Sequence, residues 1–223
     1  KLSRAQATLV RLLNHSDSTV WESRAALQLA AVNQSKDKWQ ASFDYARRAY
    51  ETARPNGPIQ QESLFLMAQS EEKQGKWLNA HHRYQKLRQM APLSSWAREA
   101  RDRVRALRTT HASKLALTTP EAYFAEAALA LKEADIDSAQ DLAQELATRF
   151  AADNTTAPSA LLHLADIYKR SGQYDLAAEE WRNIVSRYPS HALAKNALYD
   201  WAQALWNRDE DSAALALFQR LAA

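Results

Sequence analysis

The sequence predicts an all-α fold, an array of about five helical hairpins whose core runs along its length. Three observations lead there. Glycine and proline are scarce, 3 and 6 of 223 residues, whereas hairpin-rich β folds need more turn formers than that. Apolar residues, 46% of the chain, recur at helical rather than alternating spacing. One apolar pattern, most complete between Pro158 and Pro189, returns every 37 or 38 residues within each half of the chain, as stacked units sharing a continuous core would.

Leu2 to Leu13 reads as a short amphipathic helix with Leu2, Ala5, Leu9, Leu12 and Leu13 on one side. His15-Ser-Asp-Ser breaks it, and Ser18 or Thr19 can cap the next helix. Trp21 to Asn33 carries Ala26, Leu27, Leu29 and Ala30; Trp39, Ser42, Ala46 and Ala49 mark its partner, which ends before Arg54-Pro-Asn-Gly-Pro58. Asp37 stands where this hairpin would want a turn glycine.

Residues 61–92 form a complete unit: Leu64, Met67, Ala68, Gly75, Trp77, Ala80, Tyr84, Leu87 and Pro92. Ser94 or Ser95 then caps a helix from Trp96 to Arg108. Its apolar side is Trp96, Ala97, Ala100, Val104 and Leu107, and it has no hairpin partner. Thr109 to Thr119 reads as a hinge between two lobes, 1–108 and 120–223.

Thr119 caps again, with Pro120 at the first helical position. Tyr123, Phe124, Ala127, Ala130 and Leu131 form one helix; Ile136, Ala139, Leu142, Ala143 and Leu146 form its partner. The most complete hairpin follows. Leu161, Leu164, Ala165 and Tyr168 share one helical face, Gly172 turns the chain, Tyr174, Ala177, Ala178, Trp181 and Ile184 make the second face, and Pro189 stops it. Leu198, Trp201, Ala202, Leu205, Asp211, Ala214, Phe218 and Leu221 repeat the pattern once more, with Asp209 in the glycine place.

Leucine, small residue, aromatic, Gly-x-aromatic, alanine, aromatic and proline at these spacings resemble the tetratricopeptide repeat family. Residues 61–92 depart from the pattern at Glu71, which stands opposite Tyr168. The resemblance implies a right-handed α-solenoid of about five such hairpins in two lobes. The repeat starts at Ser23 and Gln61, and at Pro120, Pro158 and Lys195, exceed the family period of about 34. The surplus lies in linkers such as RYPSHALAKNAL. Those linkers resemble the ones of bacterial cell-envelope repeat proteins: outer-membrane assembly lipoproteins, TolA-binding periplasmic proteins and the superhelical arms of lytic transglycosylases. The location they imply is the periplasm or the inner face of the outer membrane.

The first residue is Lys1 with no signal-like segment after it, which is expected of a processed or excised piece. No apolar run approaches the length that spans a membrane. The chain has no cysteine, which excludes disulfides, thiol chemistry and the usual zinc ligands. His163-x-x-Asp166 puts two ligand-type groups on one face but lacks the further ligands a metal needs. Asp135, Asp137 and Asp141 suit the start of a helix better than a calcium loop. Neither a phosphate loop nor a nucleophile elbow is present. The chain therefore reads as non-catalytic, with no cofactor and no metal.

Charge divides the halves. Residues 1–119 hold 20 Lys and Arg against 10 Asp and Glu; residues 120–223 hold 9 against 16. Arg98, Arg101, Arg105 and Arg108 make a basic patch on the unpaired helix, able to face an anionic glycan, peptidoglycan or a protein. Nucleic acid is disfavoured because no stacking aromatics interleave with the arginines.

Family geometry places a concave groove along the first helices. It maps to Phe65, Gln69 and Lys73; Phe124 and Lys132; Leu162, Asp166, Lys169 and Arg170; and Tyr199, Gln203 and Trp206. Phe65, Tyr199 and Trp206 are aromatics outside the expected hairpin core, the composition of a binding hot spot. Leu27 and Ala31 stand where chaperone-binding relatives begin their carboxylate-holding set. The expected function is a protein or peptide interaction scaffold of a bacterial cell-envelope assembly. The alternative is the non-catalytic superhelical arm of a larger peptidoglycan-acting enzyme such as a lytic transglycosylase.

Overall fold

In a computed structural model, which describes residues 2–15 and 18–222, the chain folds into two compact units, Lys1–Ala116 and Leu117–Ala223. Among the described residues there are thirteen helices and no strand. The side chain of Leu2 and the break expected at Ser16 and Asp17 lie outside the described residues.

The first unit holds α1 (Leu2–His15), α2 (Thr19–Gln34), α3 (Trp39–Thr52), α4 (Pro58–Lys73), α5 (Trp77–Met90), α6 (Ser95–Thr110) and the single turn α7 (Ala112–Leu115). The second holds α8 (Pro120–Lys132), α9 (Ile136–Arg149), α10 (Thr156–Arg170), α11 (Tyr174–Arg187), α12 (Ala192–Trp206) and α13 (Asp211–Ala222). Within each unit every helix packs on the next, so that α2/α3, α4/α5, α8/α9, α10/α11 and α12/α13 are antiparallel hairpins. The first helices also meet across hairpins, α2 with α4, α4 with α6 and α10 with α12. That row of first helices carries the surface of interest.

All five hairpins turn in the same way. The backbone is left-handed at Asp37, Gly75, Ala134, Gly172 and Asp209. At each, the following amide bonds back five residues, as from Lys76 to Glu71 at 2.8 Å and from Gln173 to Tyr168 at 2.9 Å. The left-handed residue itself bonds back three, as from Gly172 to Lys169 at 3.1 Å. This is the Schellman closure, which satisfies carbonyls that a helix end leaves open. Ala134 adopts it despite a Cβ, at a cost of about 1 kcal/mol. Ser94, Thr119 and Asp135 cap the starts of α6, α8 and α9 by accepting from the amides of Ala97, Ala122 and Ser138.

Alanine lets the paired helices approach: Ala68 and Ala80 in one hairpin, and Ala165 and Ala177 in another, are fully buried. Tyr84 and Trp181 fill the space beside them and are fully buried too. Tyr174, expected on the second apolar face, is 39% exposed at the first turn of α11. The departure at Glu71 has a physical account. Its carboxylate is buried and accepts from Arg83 Nε at 2.7 Å, so an ion pair occupies the place of the ring. Beside it, Glu72 accepts from the Tyr84 hydroxyl at 3.0 Å and from Arg103 Nε at 3.1 Å, tying α4, α5 and α6 together. Burial and the neighbouring Glu72 charge push the Tyr84 hydroxyl pKa far up, so it stays a donor.

Much of the stretch expected as a hinge is helical and packed. α6 runs on to Thr110, His111 stacks on Trp77 at 4.5 Å, and Lys114 lies 5.1 Å from the same indole. Leu115 joins the core of Leu64, Phe65, Tyr84 and Val104.

Candidate functional site

In the first unit, the three expected groove residues all contact neighbouring helices; Phe65 is buried, Gln69 half-buried and Lys73 exposed. Phe65 is 2% exposed. Its ring lies 5.5 Å from Tyr84 and 5.1 Å from Trp96 of α6. The expectation that it stands outside the core is thus corrected: the next helix in the stack covers it. Gln69 accepts from Gln34 of α2 at 2.6 Å, and the Lys73 ammonium sits 5.9 Å from the Trp39 ring. All three link neighbouring helices of their own unit.

The arginine helix is also partly committed. Arg103 is held by Glu72, Arg101 lies 4.0 Å from Asp102, and Arg101, Arg105 and Arg108 are each engaged within the protein. Arg88 on α5 is fully buried and donates to Gln85 at 2.8 Å. Arg98 and Arg105 are the exposed members of the expected patch. An open depression beside it is lined by Asp102, Arg105, Ala106, Thr109 and Thr110. An acid at its rim makes a weak seat for a polyanion.

In the second unit the expected residues lie on α8, α10 and α12. Phe124 of α8 meets His163 of α10 edge-on at 5.4 Å, with Leu162 packed beside them. Burial pushes the His163 imidazole pKa below its ordinary value; Asp166 pulls it back up and Arg170 lowers it further. The ring is therefore neutral at physiological pH. Lys169 reaches Asp166 at 3.5 Å and lies 5.8 Å from the Trp181 ring. Asp200 of α12 is half-buried, and its carboxyl pKa is raised by burial, eased by Lys169 and raised again by Asp166. Lys132 and Arg170 are exposed at the C-terminal ends of their helices, and Gln203 is half-buried on α12.

Tyr199 and Trp206 stand out on α12. They are 47% and 59% exposed, and both rings rest edge-on against Phe218 of α13, at 6.1 Å and 6.5 Å. Leu215, 58% exposed, extends the apolar surface along α13. Sequence reasoning placed Phe218 in the core and passed over Asp200 and Leu215. An acid between Tyr199 and Trp201, in an otherwise apolar helix, was the signal for Asp200. Leu215 carried no signal, since its exposure depends on which side of α13 is covered.

Residues 159–191, spanning α10 and α11, match the family model of the tetratricopeptide repeat. A search of curated proteins finds no match. Among solved structures, the chain is similar to MamA (residues 41 to the end) from Desulfovibrio magneticus RS-1, at 13% identity and a TM-score of 0.40, covering 89% of this chain and 92% of that one. It is also similar to the nearly identical TPR-like repeats of a putative kinesin light chain from Podospora anserina, at 16% identity and a TM-score of 0.42, with 89% and 92% covered. A third is the TPR2AB domain of yeast Sti1 in its pHSP90 complex, at 14% identity and a TM-score of 0.41, with 99% and 83% covered.

No helix among the described residues is long and apolar enough to cross a membrane. The described residues hold no group of three or more His, Cys, Asp or Glu arranged for a metal ion.

Proposed function

We propose that this protein is a non-catalytic scaffold that binds a protein partner through the first-helix face of its second unit. The observation that carries the reading is the pair Tyr199 and Trp206. Two large rings stay about half exposed while the apolar pattern residues of their hairpin, Leu198, Trp201, Ala202, Leu205, Ala214 and Phe218, are wholly or partly covered. Exposed aromatics of this kind have the composition of an interface anchor. The bacterial cell envelope is the proposed setting, supported by the resemblance of the linker between Arg187 and Leu198 to those of envelope repeat proteins.

Capture of partners from an envelope extract tests this, comparing the native chain with a Tyr199→Ala/Trp206→Ala variant shown to be equally helical. A discrete protein held by the native chain and lost by the variant is expected. Polysaccharide retained by both, with no protein, would overturn the scaffold reading and favour the arm of a peptidoglycan-acting enzyme.

A further inference from the structure

The turn between α3 and α4 joins two hairpins and holds the only asparagine of the chain that glycine follows, Asn56-Gly57. Each residue has a conformational reason to be there. Asn56 has a φ of 57°, in the left-handed region that asparagine tolerates better than most side chains. A Cβ on Gly57 would stand 3.1 Å from the Arg54 carbonyl oxygen, so a side chain there would press on that carbonyl. These backbone needs bring together a side-chain carboxamide and the least hindered main-chain nitrogen that can attack it.

The turn is pinned on every side. Asn56 N–H donates to Gln60 Oε1 at 2.7 Å, and Gln60 Nε2 donates in turn to the Tyr50 carbonyl of α3 at 3.3 Å. Gln61 Nε2 donates to the Asn56 carbonyl at 2.9 Å. The Gly57 N–H itself donates to the Arg54 carbonyl at 3.1 Å. Asn56 is exposed, and its side-chain amide bonds to no described residue.

We infer that Asn56 is a modification site, a slow chemical switch that the turn holds closed. When the turn opens, the Gly57 nitrogen attacks Asn56 Cγ. The N–Cγ bond forms, the Cγ–Nδ2 bond breaks, and ammonia leaves with the Gly57 amide proton. Water then opens the cyclic imide and is the only co-reactant. Opening at Cγ gives aspartate; opening at the main-chain carbonyl carbon gives isoaspartate, in which the chain runs through Cβ. The two products act differently. Aspartate fits the turn, since Asp37 and Asp209 already hold φ of 54° and 61° in this chain. Isoaspartate lengthens the main chain by a methylene and displaces the N–H and carbonyl that Gln60 and Gln61 hold, so the bridge from α3 to α4 is lost.

The inference is independent of the scaffold reading. Peptide mapping by mass spectrometry tests it, with the samples held in mildly alkaline buffer. The native chain, a Gln60→Ala/Gln61→Ala variant and a free peptide of residues 52–62 are compared. Exchange of NH2 for OH at Asn56 is expected in all three. The peptide should convert at least about tenfold faster than the native chain, and the variant at least about threefold faster. Asn154, also exposed but followed by Thr155, should stay intact over the same period. The isoaspartate fraction of the native chain should unfold at lower urea than an Asn56→Asp variant, which should match the unmodified protein.

Equal rates in the peptide and the native chain would overturn the inference, because the turn would then hold nothing closed. This comparison stands even if the variant fails to fold. Conversion of neither protein, over a period that converts the peptide many times over, would overturn it too. So would equal conversion at Asn154, or an isoaspartate fraction as stable as Asn56→Asp.

Discussion

Phe65 and Tyr199 hold the same place in their hairpins, yet one is sealed beneath α6 and the other meets solvent. Residue type alone does not separate them; the presence of a covering helix does. Phe65→Ala is expected to cost about 3–5 kcal/mol as a core truncation, and Tyr199→Ala no more than about 1 kcal/mol. Urea unfolding of the two variants checks this, and comparable losses would contradict the burial difference. His163 gives a second residue-scale expectation. Its folded pKa lies below the ordinary 6.5, so the unfolded chain takes up the proton first as pH falls. Stability is therefore lost from about pH 6.5 downward, until the folded pKa is passed. His163→Gln should flatten that part of the profile, measured as Tm between about pH 8 and about pH 5. Signature residues were legible at this scale because their chemistry is restrictive: Ala165, Ala177 and Trp181 fit one place each. Glu71 was legible only as an exception. Its partner Arg83 lies twelve residues away on the opposing helix, a distance no helical periodicity reports.

At the scale of the element, the turns decide the architecture. Gly75 and Gly172 announced two of them through their tolerance of positive φ. Asp37 and Asp209 were recognisable only by register, and Ala134 carried no signal of its own, because its conformation is imposed by the hairpin on either side. A Cβ built on Gly172 meets nothing within 4 Å, so Gly172→Ala should cost only the backbone term, about 1 kcal/mol. The reverse exchange, Ala134→Gly, should stabilise by up to about 1 kcal/mol despite the added chain entropy. Equilibrium denaturation of both variants measures the pair; a destabilised Ala134→Gly would mean that the turn is not strained. The hinge expectation shows the limit of composition. Thr109 to Thr119 lacks a strong apolar stripe, yet His111 and Leu115 find tertiary partners in Trp77 and the α4–α6 core, and that packing orders the first part of the stretch.

Across the whole molecule, the two units carry opposite net charge. In the first unit, expected groove side chains cross-link neighbouring helices, and Arg103 of the basic helix serves Glu72. In the second, Lys132, Arg170, Tyr199 and Trp206 are exposed. The fold class could be read from periodicity because buried stripes repeat; the surface proposed to bind could be read only in part, since exposure depends on what packs next. Residues between Leu115 and Pro120 lie outside any helix, and limited thermolysin digestion is expected to cut there, near Leu117, before it cuts within a hairpin. Protein recognition by the α12/α13 face is the central claim, and site-specific photo-crosslinking tests it most directly. A benzophenone side chain is placed at position 199, and in a control chain at position 78, before illumination in a native extract. A discrete protein adduct from position 199 and none from position 78 is the expected result. Equal adducts from both positions, or none from 199, would contradict it.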